Sequence, residues 1–378
     1  MRAVHVAQLN FLPAPAGLAP AEVLERWHSL ADIAEAAASA GTRVSVIQAA
    51  AREERITRGG IDYHFVDIRG LETATNRGRR FASLLGDIRA DVLHGHSLGF
   101  AEDAFAIAQC LPQLPIILQD HADRAPRWWR RRRWRRWYAA ATGVAFTARE
   151  QAQAFAVAGM FGPRMRVFAI PESSSRFTPG DRAAARAETG LHGEPCVLWV
   201  GHLNRNKDPL TVLEGVARAA TRLPGLQLWC VFGHAPLLED VRQRIVGDPR
   251  LAGRVHLLGK VTHAQVEQLM QAADVFVSGS HAEGSGYALL EALACGVVPV
   301  VTDIPSFRAL TDGGRIGKLW PCGDAAGLAA ALLDVGSSRM PPARVRAHFD
   351  AALSFAAVGR QWAEAYAQVR EDRRRGAS

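Results

Sequence analysis

The chain has 378 residues, of which 48% are hydrophobic and 22% are charged, and its formal net charge is +8. This length exceeds what one ordinary hydrophobic core supports and predicts two domains. No run of about 18 apolar residues occurs and the amino terminus resembles a strand rather than a signal peptide, which argues against a membrane-spanning or secreted protein. We therefore expect a cytoplasmic protein.

Short β-branched or apolar runs alternate with longer helical stretches throughout the chain. This alternation is typical of βαβ units and predicts an α/β fold with two doubly wound domains. In the first half we predict strands at Ala3–Leu9, Arg43–Gln48, Val92–His94, Ile116–Gln119, Gly143–Phe146 and Arg166–Ala169. In the second half we predict them at Cys196–Gly201, Gln227–Phe232, Val255–Leu258, Val275–Ser278 and Val298–Thr302.

The segment Arg127–Tyr138 is unusual because it contains seven arginines and four tryptophans, and these arginines account for most of the net charge. On a helical projection Trp134, Trp137 and Tyr138 share one sector, whereas Trp128 and Trp129 lie outside it. Interfacial tryptophan with arginine suits peripheral contact with an anionic membrane, here the inner face of the cytoplasmic membrane. The alternative is a solvated helix whose tryptophans pack on the domain. Nucleic acid is not expected, because no recognised nucleic-acid motif accompanies the segment.

The domain boundary is predicted at Ile170–Gly180, which combines prolines, a serine run and a glycine without a hydrophobic period. We therefore assign residues 1–176 to a first domain and residues 177–355 to a second. A helical pattern follows over Ala356–Arg370, with Trp362 and Tyr366 on one face.

The cysteines and histidines do not form a metal-binding pattern. No C-x-x-C pair or H-E-x-x-H spacing occurs among the thirteen histidines and five cysteines, which are Cys110, Cys196, Cys230, Cys295 and Cys322. This distribution argues against a disulfide framework and predicts no metal site.

Two carboxylates, Glu283 and Glu291, flank a glycine-rich turn within His281–Gly296. Such a turn before a helix exposes backbone N–H groups at the positive end of the helix dipole, and these attract phosphate. Glu291 stands in an otherwise apolar helical stretch, where an unpaired carboxylate would be costly to bury. The pattern favours a binding role for both residues.

The turn and its flanking glutamates resemble the E-x7-E signature of the family-4 retaining glycosyltransferases, which have the GT-B fold of two Rossmann-like domains facing a cleft. Four further segments resemble that family in order and spacing: Val197–Pro209, Arg254–Val261, Ala272–Ser280 and Gly296–Asp303. The similarity is dense between residues 195 and 335 and thin before them.

The resemblance implies a metal-independent enzyme that moves a sugar, with retention, from a UDP- or GDP-linked donor to a hydroxyl of a glycan, lipid or small molecule. The resemblance also implies that such an enzyme needs no cofactor. The second domain would hold the donor, with Glu291 on the ribose and Arg205 and Lys207 on the diphosphate. The sugar would be held by Glu283 and by the amides of Gly284, Ser285, Gly286 and Tyr287.

The resemblance also implies that the first domain presents the acceptor, with His121, which follows the strand Ile116–Gln119, near the reaction centre. His96 is a weaker candidate for lining the same cleft. Residues 356–378 would form a helix that crosses back to the first domain. The composition supports the role of Lys207 on the diphosphate. Only three of the forty-five basic residues are lysines, and a compact ammonium group suits a diphosphate.

The chain departs from the family pattern at two places. His202 follows Gly201 where the family has arginine, so either Arg205 or a protonated His202 would have to supply that charge. The first loop, Asn10–Pro20, contains three prolines where the family has a Gly-Gly pair. Two alternatives remain open: a related GT-B epimerase or phosphorylase, and a protein that binds nucleotide sugar without catalysis, which these departures support.

Overall fold

The structure is a computed structural model that describes residues 3–338 and 340–377. It divides into two compact units, which we call the first domain (residues 1–174 with 355–378) and the second domain (residues 175–354). Each contains one sheet flanked by helices, so the predicted α/β class with two doubly wound domains is confirmed.

The first domain has an eight-stranded sheet in the order β3-β4-β2-β1-β5-β6-β7-β8, in which only the β3–β4 pair is antiparallel. The strands are β1 His5–Asn10, β2 Arg43–Ala50, β3 Glu54–Arg58, β4 Ile61–Asp67, β5 Val92–His96, β6 Ile116–Gln119, β7 Gly143–Phe146 and β8 Arg166–Ala169. Its helices are α1 Pro20–Arg26, α2 His28–Ala38, α3 Ala74–Asp87, α4 Ala101–Cys110, α5 Arg131–Tyr138 and α6 Gln153–Val157.

The hairpin formed by β3 and β4 was not predicted. Its turn is Gly59-Gly60, and both glycines have positive φ angles, 58° and 77°. Two-residue hairpin turns favour such angles because they match the twist of the strands.

The second domain has a six-stranded parallel sheet in the order β11-β10-β9-β12-β13-β14. The strands are β9 Cys196–Val200, β10 Gln227–Val231, β11 Val255–Gly259, β12 Val275–Ser278, β13 Val298–Thr302 and β14 Lys318–Trp320. Its helices are α7 Arg182–Thr189, α8 Pro209–Ala220, α9 Leu238–Val246, α10 His263–Ala272, α11 Tyr287–Ala294, α12 Pro305–Leu310, α13 Ala325–Ser337 and α14 Pro342–His348. The three-residue strand β14 was also not predicted.

The last helix, α15 Phe355–Ala377, belongs to the first domain. Trp362 and Tyr366 stack with ring centroids 5.5 Å apart and are fully buried in that domain's core. At Gly359 the helix approaches α2 so closely that a Cβ atom would lie 2.5 Å from the carbonyl oxygen of Ala36. Within the described residues, none of the helices combines the length and the apolar character needed to cross a membrane.

Candidate functional site

In the second domain, the strand order reverses between β9 and β12, which are neighbours in the sheet. Open α/β sheets bind ligands at the carboxyl ends of the strands at such a reversal. The loops that leave this point are residues 201–208 and 279–286. They are joined by two hydrogen bonds: the His281 N–H donates to the Asn206 carbonyl (2.8 Å) and the Asn206 side-chain amide donates to the Ala282 carbonyl (3.0 Å).

Lys207 and Glu283, predicted from distant parts of the sequence, form an ion pair between these two loops. A second pair lies beside it, with His281 Nε2 2.9 Å from Asp208 Oδ2. Both pairs retain access to solvent. A charged ligand can therefore exchange partners with Lys207 and Glu283 at a modest desolvation cost.

The glycine-rich turn ends at Gly286, the N-cap of α11, which has a left-handed conformation with φ of +66°. A Cβ atom there would lie 2.9 Å from Leu310 Cδ1, so both the backbone angle and the packing require glycine. No side chain caps this end of α11. The turn that carries Glu283 therefore runs directly into the amino end of α11, whose first backbone N–H groups have no side-chain cap.

Glu291 lies one turn into α11, and its side chain is only 13% exposed. The cost of burying this carboxylate is offset by His263, whose Nε2 is 2.7 Å from Glu291 Oε1. His263 begins α10, and its ring packs 4.7 Å from that of Phe177. His263 was not predicted from the sequence, because a single histidine at the start of a helix carries no pattern of its own.

The structure distinguishes between the two residues considered for the missing phosphate-loop charge. The backbone N–H of His234 donates to His202 Nδ1 (3.2 Å), so that nitrogen acts as an acceptor and Nε2 is the ring nitrogen left to donate. Arg205 is exposed and makes no side-chain hydrogen bond or ion pair within residues 3–338 and 340–377. Arg205 is therefore the available cation, and His202 can offer one neutral N–H donor.

In the first domain, His121 follows β6 and contacts two side chains. Its Nδ1 is 2.9 Å from Glu172 Oε1, and its Nε2 is 3.1 Å from His96 Nδ1. The candidates His121 and His96 are thus brought together, and Glu172, which was not predicted, joins them. Glu172 lies in the segment assigned to the domain boundary, where its proline and serine neighbours indicated only a linker.

Burial acts to lower the pKa of both histidines, and only at His121 do the neighbouring groups outweigh it. Burial alone would lower the pKa of His121, but the hydrogen bond and charge of Glu172, with the charges of Asp123 and Asp120, raise it above the ordinary value. Burial lowers the pKa of His96 far below the ordinary value, with the neighbouring His94 and His121 lowering it further. His121 is therefore the member of this pair that carries a proton most readily.

The proline-containing first loop is fixed to β2. The Leu12 carbonyl accepts a hydrogen bond from the Gln48 side chain (2.8 Å), and the Ala14 N–H donates to the Ala49 carbonyl (2.8 Å). The Phe11 ring stacks on Phe100 with centroids 5.2 Å apart. These contacts hold the beginning of the proline-containing loop against the first domain.

No cluster of three or more His, Cys, Asp or Glu side chains is placed to hold a metal ion in the part of the chain that the structure describes.

Residues 194–337 match the family described as Glycosyl transferases group 1. The D-inositol 3-phosphate glycosyltransferase of Mycobacteroides abscessus is 36% identical over 149 residues, which are 38% of this chain and 33% of that protein. The GDP-mannose:cellobiosyl-diphosphopolyprenol alpha-mannosyltransferase of Xanthomonas campestris is 29% identical over 243 residues, which are 62% of each chain. The chain thus matches less than two thirds of the length of either relative.

Solved structures match along almost the whole chain. Sucrose-phosphate synthase from Thermosynechococcus elongatus superposes with a TM-score of 0.67 at 20% identity, covering 97% of this chain and 99% of that one. The Anabaena protein HepE in complex with UDP gives a TM-score of 0.69 at 18% identity, covering 97% and 100%. At these identities the matches establish the fold, and they confirm the predicted GT-B class.

Proposed function

We propose, from the premise that residues 194–337 belong to the Glycosyl transferases group 1 family, that the chain is a retaining glycosyltransferase that uses a nucleotide-sugar donor. The observation that carries this proposal is the meeting of Lys207 and Glu283 at the strand reversal of the second domain, with Glu291 in the helix that follows. A cation, a carboxylate and a helix amino end are the groups that a diphosphate-linked sugar requires.

The donor diphosphate is proposed to replace Glu283 as the ion-pair partner of Lys207. Lys207 and Arg205 then bind the diphosphate, with His202 adding one hydrogen bond, and Glu283 is free to bind the sugar with the amides of Gly284–Tyr287. When the glycosidic bond breaks, its electron pair moves to the diphosphate oxygen. The cations and the amino end of α11 stabilise that developing charge, which is proposed as the main catalytic effect. The acceptor oxygen then bonds to the anomeric carbon, and the acceptor proton passes to the released diphosphate.

Glu291 is proposed to bind the ribose hydroxyls of the donor, exchanging its contact with His263. The Xanthomonas relative is named for GDP-mannose and HepE is complexed with UDP, so UDP- and GDP-linked sugars are the donors to test first. The proposed reaction uses no metal ion and no cofactor.

His121 is proposed to act in the first domain at the acceptor side of the reaction. Because Glu172 favours the protonated form of His121, we assign His121 to donate a hydrogen bond to a sugar hydroxyl rather than to remove a proton. The donor is Nε2, which exchanges its contact with His96 for the sugar, while Nδ1 stays on Glu172. The acceptor is a hydroxyl compound, and the other proposed partner is an anionic membrane that contacts Arg127–Tyr138 of this cytoplasmic protein.

The neutral ring of His202 and the packed first loop favour a second candidate, a protein that binds nucleotide sugar without transfer. Incubation with a panel of UDP- and GDP-sugars separates the candidates, with nucleoside diphosphate release and thermal stabilisation as readouts. For the proposed enzyme we expect stabilisation by one nucleotide class, slow diphosphate release that EDTA does not affect, and acceptor-dependent product with the anomeric configuration of the donor.

Other outcomes of this experiment identify the alternatives. Stabilisation without release indicates a binding protein, product without any acceptor indicates an epimerase, and a requirement for inorganic phosphate indicates a phosphorylase. If no sugar nucleotide produces either stabilisation or release, the proposal is overturned.

A further inference from the structure

The segment Arg127–Tyr138, which we call the Arg/Trp surface, divides its aromatic residues between the core and solvent. Trp134 and Trp137 pack against the core of the first domain and Tyr138 is buried within it. Trp128 and Trp129 lie in a single 3-10 turn before α5 and are 75% and 55% exposed. The sector predicted from the helical projection therefore faces inward, and the two indoles outside it face solvent.

The positive charges of the arginines on this surface are largely not neutralised by neighbouring carboxylates. All seven reach solvent, and Glu102 is the one carboxylate within ion-pair distance of them in the described residues, at 3.3 Å from Arg133. Arg130 and Arg132 make no side-chain hydrogen bond or ion pair in the same part of the chain. The Arg127 guanidinium lies over the Trp129 ring at 5.3 Å. Two exposed indoles thus project from a surface of strong positive charge.

A solvated helix explains the arginines but not the indoles. Large aromatic side chains are normally buried. Two adjacent exposed ones indicate a surface that binds a membrane or another molecule. Tryptophan beside arginine is the combination found where proteins enter the headgroup region of a bilayer, since the indole is amphipathic and the guanidinium pairs with phosphate. Charge complementarity therefore indicates an anionic lipid surface.

The position of the indoles relates this surface to the proposed acceptor site. His121 follows the carboxyl end of β6, and the same connection leads to Trp128 at the start of α5. This connection is held in shape by Asp123, whose carboxylate accepts hydrogen bonds from the Ser97 hydroxyl (2.8 Å) and the Leu98 N–H (2.8 Å). Because β7 is parallel to β6, α5 returns from this edge of the sheet, and its amino end lies on the side of His121.

We propose that the Arg/Trp surface docks the first domain on an anionic bilayer, with Trp128 and Trp129 in the headgroup region, and that the acceptor is a hydroxyl carried by a lipid. The inference that the acceptor is a lipid rests on the proposed function. Docking itself does not, because it depends only on the exposed indoles and the uncompensated arginines.

Docking is tested by co-sedimentation of the whole chain with phosphatidylcholine vesicles that contain or lack phosphatidylglycerol. We expect binding only to the anionic vesicles, and its loss at high salt. The double variant Arg130→Ser with Arg132→Ser should weaken this binding about thirtyfold at low salt. Each basic residue near an anionic leaflet contributes about 1 kcal/mol of binding free energy, so two contribute about 2 kcal/mol. The matched control is Arg222→Ser with Arg242→Ser, which removes the same charge from the second domain. Both arginines are exposed and make no side-chain hydrogen bond or ion pair in the described residues.

Trp128→Ala with Trp129→Ala tests insertion separately from charge, and it should also weaken binding to the anionic vesicles. The docking proposal is overturned if the wild-type chain ignores anionic vesicles at low salt, or if both arginine pairs reduce binding equally. Unchanged binding in the tryptophan variant overturns insertion. A single-stranded RNA that displaces the vesicles, and binds more tightly than they do, identifies a nucleic-acid surface instead.

Thermal stabilisation by UDP or GDP, measured on the same variants, should be unaffected. If vesicles bind as expected and no sugar nucleotide stabilises the chain, the proposed function fails and the docking proposal stands. If transfer to soluble acceptors proceeds at full rate and lipid hydroxyls are not used, the assignment of the acceptor as a lipid is wrong.

Discussion

The two domains hold their ionisable groups in different ways. At the strand reversal of the second domain the charges meet in partly exposed pairs between loops and helices: Lys207 with Glu283, Asp208 with His281 and Glu291 with His263. In the first domain, by contrast, Glu172, His96 and His94 are buried, and His121 connects Glu172 to His96.

This difference separates groups that can exchange partners from groups that are fixed by folding. In the second domain each pair joins two separate elements and has one member that is at least 23% exposed, so a charged ligand can replace one partner directly. In the first domain His94, His96 and Glu172 are buried, so removing one of them leaves a buried polar atom unpaired. Substitutions in the second domain should therefore change binding and rate with little effect on stability, and substitutions in the first domain should change stability and pH dependence.

The largest effect is expected for Lys207→Ala. If Lys207 stabilises the charge that develops on the diphosphate, turnover should fall by about 10²–10³-fold, as for the loss of one well-placed transition-state donor. Steady-state kinetics with the donor identified by the sugar-nucleotide panel provides the measurement, and the thermal midpoint should change little. A large loss of stability with normal turnover would contradict the distinction between the domains.

The two glutamates of the second domain should differ in binding. Glu291→Ala should weaken nucleoside diphosphate affinity by about 2 kcal/mol, or roughly thirtyfold, because a charge-assisted hydrogen bond to the ribose is lost. Glu283→Ala should leave that affinity unchanged or raise it, because Lys207 loses its competing partner, yet it should abolish transfer. Calorimetric titration with UDP and GDP measures both variants, and equal losses would show that the assigned roles are wrong.

In the first domain, Glu172→Gln should lower the pKa of His121, since the carboxylate raises it. A raised folded-state pKa stabilises the fold fully below the ordinary histidine pKa, about 6.5, and this contribution is lost as the pH rises through the folded value. The variant should therefore lose about 1.5–3 kcal/mol of unfolding free energy on the acid side, less at higher pH. NMR titration of His121 and denaturant unfolding at several pH values check both effects.

The activity of the Glu172→Gln variant distinguishes the two possible roles of His121. If the protonated ring is needed, the loss of turnover on the alkaline side should move to lower pH. If a neutral ring is needed, the loss on the acid side should move to lower pH instead. An unchanged His121 pKa would mean that Glu172 does not control this group.

The smallest effect is expected for His202→Ala, because a neutral ring supplies one ordinary hydrogen bond. Affinity for the donor should fall about fivefold, from a loss of about 1 kcal/mol. Arg205→Ala should cost more, as a charge-assisted contact does. The same titrations compare the two variants, and a larger loss for His202→Ala would place the phosphate charge on the histidine.

Much of the strand framework could be predicted because buried parallel strands are continuous apolar runs. The buried strands β6, β7, β12 and β13 begin and end at the predicted residues, as does the partly exposed edge strand β8. The strands β3 and β4, which were not predicted, are partly exposed and carry polar residues. The Gly59-Gly60 pair between them is the sequence feature that could have indicated the hairpin. Strand β14 is too short to form a recognisable run.

The site was predictable only where a local pattern marks it. Lys207, Glu283 and Glu291 stand in loops and a helix with a recognisable order, whereas Glu172 and His263 become significant only through contacts with residues far along the chain. The tautomer of His202 likewise depends on the backbone of His234. Such partners are set by tertiary packing, which no local sequence pattern encodes.

The place of α15 has a consequence for how the protein is made. The core of the first domain requires Trp362 and Tyr366, and Tyr366 Oη lies 2.9 Å from His94 Nδ1. A ribosome must therefore translate all of Ser175–Ser354 before the first domain can close, a delay of roughly ten to forty seconds. The second domain is contiguous and can fold during that interval, so the domain whose synthesis starts first completes its folding last.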